Sequence, residues 1–112
     1  MKYLELACRI AAGACWQEKH FLLAAVAQRE DGAIVTATNI RTQDRIHSAH
    51  AEYRALKKAG TGATLWVARI DRYGQWAMAK PCSKCESLIK NKRVKRVYYT
   101  ISPNEYGVME FN

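Results

Sequence analysis

Long apolar runs are missing from this 112-residue chain. The longest, Phe21 to Ala27, holds seven residues, whereas a membrane-spanning helix needs roughly 20. Proline is scarce, with only Pro81 and Pro103, and the six glycines do not gather into a linker. No repeat or low-complexity tract is present. A single domain over residues 1–112 is therefore expected, within the usual size of about 100–150 residues. Acidic residues are also few: 10 Asp+Glu stand against 18 Lys+Arg, for a net charge of +8. A disordered chain would carry fewer apolar residues than the 49% found here. Glu5 and Arg9 interrupt the early apolar stretch, so no secretory signal is expected. The expectation is a cytoplasmic protein with no membrane partner, whose four cysteines stay reduced.

The charge has two readings. One is an anionic partner, such as a phosphorylated small molecule or nucleic acid. The other is a well-solvated surface.

What is present is ordered by periodicity. Leu4, Ala7, Cys8, Ala11 and Cys15 form one apolar stripe, which predicts a helix over 2–15. Cys8 and Cys15 on that stripe read as core thiols. An aliphatic stretch over 20–29 and a β-prone stretch over 33–40 flank Asp31-Gly32, a strong hairpin signal. Residues 47–59 read as a helix, 64–70 as a buried strand, 82–92 as a helix behind Pro81, and 94–101 as a strand. The tail over 103–112 fits no single element. This order predicts an α/β fold: a three-layer α/β/α sandwich with a mixed sheet of about five strands.

Two short pieces carry chemistry, each at the start of a predicted helix: His50-Ala51-Glu52 and Pro81-Cys82-Ser83-Lys84-Cys85. Cys82 and Cys85 are three positions apart, so on a helix both sulfurs share one face. Helix N-terminal amides favour the thiolate that binds metal. With His50 they make three zinc ligands and leave one position for water, which is the catalytic rather than the structural pattern. Glu52 can stand over that water. Zinc lowers the pKa of bound water toward about 7, and a nearby carboxylate can take and pass on the proton. C-x-x-C alone is a weak signal and H-x-E alone weaker; H-x-E followed by P-C-x-x-C is strong.

On these residues, and on the element order over roughly 1–101, the chain resembles the cytidine/deoxycytidylate deaminase superfamily of zinc-dependent enzymes. The resemblance implies hydrolytic removal of the amino group of a cytosine-containing nucleoside or nucleotide, with Zn2+ as cofactor and Glu52 as proton shuttle. It implies that the Ala51 amide contacts the base, that the Lys80 carbonyl accepts from the attacked amino group, and that Asn39 contacts sugar or base. It also implies a homo-oligomer whose subunits complete one another's pockets. His50 as ligand resembles the branch that includes deoxycytidylate, tRNA adenosine and polynucleotide cytosine deaminases. A deaminase of single-stranded DNA or RNA, a purine-base or nucleoside deaminase, and a non-catalytic zinc-stabilised nucleic-acid-binding module are the alternatives. An intact Glu52 argues against the last.

Further substrate contacts are read from position and type. Arg41, with Arg45, could reach a substrate phosphate. Trp76 and Tyr99 could stack on a base. Trp66 reads as core. Tyr98 and Tyr99 alternate, so only one of them can face the core. His20 and His47 read as surface or capping residues, with His47 near enough to the site to support it. Lys84, Lys90, Lys92, Arg93, Lys95 and Arg96 form a basic run, read either as a phosphate-binding patch or as a solvated helix end.

Overall fold

The computed structural model describes residues 2–13, 22–38, 51–71 and 73–111. The chain runs α1 (Lys2–Ala12), β1 (Leu22–Gln28), β2 (Ile34–Thr38), α2 (Ala51–Ala59), β3 (Thr64–Ile70), β4 (Trp76–Ala77), α3 (Ser83–Asn91), β5 (Arg96–Ser102) and β6 (Glu105–Glu110). The sheet order is β2-β1-β3-β5-β6, with the short β4 paired to β3 beyond the reach of β5. β3 and β5 pair parallel, and the other pairs are antiparallel, so the sheet is mixed as expected.

The hairpin signal is realised between β1 and β2. Gly32 adopts φ +92°, a region that side chains with a β-carbon rarely enter. The Asp31 carboxylate accepts from the Ala33 amide at 3.0 Å, which closes the turn.

β1 and β3 are buried on both faces, which explains why they read as continuous apolar runs rather than alternating ones. On one face Ala24 and Val26 of β1 and Trp66, Ala68 and Ile70 of β3 meet Leu4, Ala7 and Ala11 of α1. On the other, Ala25, Ala27, Leu65, Val67 and Val97 meet Ala51, Ala55, Leu56 and Ala59 of α2 and Ile89 of α3. The small residues of β1 allow helices to approach on both sides. Helix, sheet and two helices make the three layers expected. Cys8 is half-buried against the α1-side core, in keeping with a core thiol; Cys15 and His20 lie outside the described residues.

Two elements were not foreseen. β4 is only two residues long. The ambiguous tail folds back as β6, through a turn in which Asn104 has φ 65°. Among the described residues no helix is long and apolar enough to cross a membrane.

Candidate active site

α2 is amphipathic with its buried side toward β1 and β2. Ala51, Ala55 and Ala59 recur at four-residue spacing, and Glu52 and Leu56 fall beside them. Glu52 is therefore carried into the interior by the same periodicity that packs the helix, and it is only 4% exposed. One of its carboxylate oxygens, Oε1, is buried with no hydrogen-bond partner. Burial pushes its pKa up, against the lowering effect of its own backbone amide.

α3 begins at the second motif. Pro81 is buried and Cys82 is the N-cap, with extended backbone at φ −69°, ψ 167°. The Cys82 side chain does not cap the helix, although its carbonyl takes the first helical bond, from the Glu86 amide at 2.8 Å. Cys85, one turn on, is fully buried in register with Ile89, while Cys82 is exposed. The Cys85 thiol is pushed far above its ordinary pKa, first by burial, then by the Glu52 charge and by hydrogen bonding with Cys82. Glu52, Cys85 and Cys82 thus form one group between the N-terminal ends of α2 and α3.

Cys82 and Cys85 of that group supply two of the ligands a zinc ion needs. Two sulfurs a helical turn apart are suitable donors, and a buried carboxylate oxygen with no partner is placed beside them. Among the described residues no set of three His, Cys, Asp or Glu side chains converges on a metal. The expected third ligand, His50, directly precedes Ala51 and lies outside the described residues, as do Asn39, Arg41, Arg45 and His47.

The remaining expected contacts separate. Ala51 is buried in the first turn of α2, and Lys80 is exposed two residues before Cys82. Trp76 pairs with Ile70 in β4 and packs on the α1 side of the sheet, the face opposite Glu52 and Cys85. The stacking role read for it does not match that placement. Tyr98 and Tyr99 do alternate, yet both pack against a core rather than only one of them, because the sheet is covered on both faces. Tyr98 stacks on Trp66 with ring centroids 5.6 Å apart on the α1 side, and Tyr99 lies on the α2–α3 side. Trp66 is core, as expected. The basic run lies mostly at the C-terminal end of α3 and beyond, away from Cys82. Within it, Lys90 and Arg96 face Glu86 and Glu110 at 3.9 and 3.5 Å.

Sequence reasoning missed four residues that hold the elements carrying the group. The Arg54 guanidinium of α2 donates to the Thr38 carbonyl at the end of β2, and Lys58 reaches the Thr36 carbonyl at 2.8 Å. Arg69 and Thr100 tether the segment leading to Pro81. The available signal was a charge, Arg69, and a hydroxyl, Thr100, inside otherwise apolar strands.

The family model for the cytidine and deoxycytidylate deaminase zinc-binding region matches residues 1–101. The chain belongs to this family. Among curated proteins it is similar to the tRNA-specific adenosine deaminases of Rickettsia bellii (strain RML369-C), at 26% identity, and Rickettsia felis (strain ATCC VR-1525 / URRWXCal2), at 24%. Each match spans 90 residues, 80% of this chain and 61% of the relative. The chain thus spans about three-fifths of the length of these relatives. Among solved structures, the cytidine deaminase of Burkholderia pseudomallei superposes with a TM-score of 0.68 at 17% identity, covering 96% of this chain and 89% of that one. The cytidine deaminase of Mycobacterium leprae gives 0.63 at 18% identity, covering 95% and 89%. These likenesses establish the deaminase fold.

Proposed function

We propose that this family member is a zinc-dependent hydrolytic deaminase that converts a cytosine-containing nucleoside or nucleotide to its uracil counterpart. The observation that carries the reading is the buried Glu52 carboxylate, with one oxygen free of partners, beside Cys85 at the meeting of two helix N-termini. A purely structural site would have no use for that oxygen, because leaving it unsatisfied costs stability. His50, Cys82 and Cys85 would hold the zinc, which when bound supplies Lewis acidity and a water of lowered pKa.

Glu52 takes a proton from the attacking water and delivers it to the ring nitrogen. It then moves a second proton to the departing amino group. The carbon–nitrogen bond breaks as the new carbon–oxygen bond becomes the carbonyl, and ammonia leaves. Lys80 presents its carbonyl to the amino group, and the Ala51 amide contacts the base.

A second reading has its own support. The curated relatives are tRNA-specific adenosine deaminases, and a net charge of +8 suits a polynucleotide. The test is an ammonia-release screen of zinc-loaded protein across nucleobases, nucleosides, nucleotides and short single strands. Turnover of cytosine monomers supports the first reading; turnover confined to oligonucleotides, with binding that weakens steeply with salt, supports the second. Glu52→Ala should retain zinc and lose activity, and Cys82→Ala should lose both. Full activity in Glu52→Ala would overturn the mechanism.

A further inference from the structure

We propose that Thr100, seconded by the Arg69 guanidinium, is the positioning residue that sets the approach of the chain to Pro81 and Cys82. This rests on the deaminase reading, in which the Lys80 carbonyl and the Cys82 sulfur must be correctly placed.

The register explains why such a residue is needed. Parallel pairing of β3 with β5 ends at Val67 and Tyr99. Beyond it β3 turns to β4, and β5 shifts register with β6 after Thr100. The Thr100 side chain fills the place of the missing ladder. Its hydroxyl accepts from the Arg69 amide at 3.1 Å and donates to the Ala77 carbonyl at 2.6 Å. Its own carbonyl accepts from the Ala79 amide at 2.9 Å. Arg69 Nη1 adds a longer bond to the Met78 carbonyl, at 3.4 Å. The residues at 77, 78 and 79 are thereby held one after another, immediately before Lys80, Pro81 and Cys82. Thr100 is fully buried, and with Glu52 it makes up the buried polar side chains among the described residues. A hydroxyl can donate and accept at once, which this junction requires. Valine has the same shape and can do neither.

The test compares Thr100→Val with Thr100→Ser, which keeps the hydroxyl. Three readouts are taken on the full chain: kcat and KM on the best substrate from the ammonia screen, affinity for Co2+ by its thiolate absorption, and amide exchange at Ala79. Thr100→Val is expected to lose about tenfold to hundredfold in kcat/KM, mainly in kcat. It should also bind Co2+ more weakly and exchange faster at Ala79, while Thr100→Ser stays within about threefold of the parent. A Thr100→Val protein that melts lower yet keeps parental kcat/KM and Co2+ affinity overturns the proposal. If it does not fold, Arg69→Met carries the same prediction at smaller size, and parental behaviour there overturns it. If the parent deaminates no substrate, the deaminase reading fails. Co2+ affinity and Ala79 exchange still decide the positioning claim.

Discussion

The Glu52 carboxylate stands close enough to Cys85 for its charge to help hold that thiol protonated. The two residues come from different helices, each in or near a first turn, and α2 and α3 bring them together on one side of the sheet. The periodicity of each helix carries its residue into the interior. A buried acid with a partnerless oxygen and a buried thiol under a negative charge are both costly without a cation between them. The fold tolerates the cost because Leu56, Ala55 and Ile89 supply apolar burial on the same helix faces.

Replacing the acid by an apolar side chain of similar volume should therefore stabilise the metal-free protein. Glu52→Met is expected to raise stability by about 1–2 kcal/mol, because it removes an unsatisfied buried oxygen. In a chain of this size that is a rise of several degrees in Tm. Thermal melts of both proteins in chelator check it. A fall in Tm would mean that the carboxylate contributes to stability in the absence of metal.

The elements buried on both faces were legible in the sequence, since runs such as Thr64–Ile70 leave no other reading. So was the hairpin, because Asp31 and Gly32 fix the turn locally. β6 was not. One of its faces is open, leaving Tyr106 and Val108 47% and 43% exposed, and of its apolar side chains Met109 packs against the α2–α3-side core, too little pattern to read as a strand. β4 owes its two residues to the free edge of β3 rather than to propensity. Residue type and spacing singled out Glu52, Cys82 and Cys85, and the fold brings these three near one another. Type and spacing could not mark Thr100, whose role arises where a strand ladder stops. Trp76 was read toward the site from its nearness to Pro81 in sequence, but pairing with Ile70 fixes the face on which it lies.

Arg54 should matter to substrate binding more than to turnover. Its guanidinium holds the Thr38 carbonyl, the last described position before Asn39, which the deaminase reading assigns to the sugar or base. Arg54→Met removes that bond and keeps the helix, since methionine is a good helix former. KM is expected to rise about threefold to tenfold with kcat within about twofold of the parent. Steady-state kinetics decide it; an unchanged KM would detach Arg54 from substrate binding.

The cysteines should divide by reactivity. Burial, with a smaller effect from Glu5, pushes the Cys8 thiol up to about 11 from 9.0. Alkylation of the folded protein at pH 8 should therefore be slow at Cys8, with or without zinc, because little thiolate forms. Cys82 is exposed and should label readily without metal and be protected by it. The raised Cys8 value also has a sign for stability. Its folded-state pKa lies above its unfolded value, so its contribution is complete below pH 9.0 and is lost as pH rises toward about 11. Cys8→Ala should flatten that part of the stability–pH curve. Mass spectrometry of labelled peptides and melts from pH 8 to 11 measure the two effects.

Tyr99 and Gly107 face each other across the β5–β6 ladder, and the Tyr99 ring lies over the glycine. A β-carbon at 107 would come within 2.5 Å of the Tyr99 Cζ and hydroxyl. Because those atoms are at the far end of the side chain, the ring can move, but it then leaves its contact with the α2–α3 core. Glycine in a strand otherwise costs roughly 0.5–1 kcal/mol relative to alanine. The two effects oppose each other, and a double-mutant cycle separates them. Gly107→Ala is expected to destabilise the parent by about 1 kcal/mol and to stabilise a Tyr99→Ala background, giving a coupling of about 1–2 kcal/mol. Denaturant titration of the four proteins measures it. Additive effects would show that the ring is free to leave Gly107 at no cost.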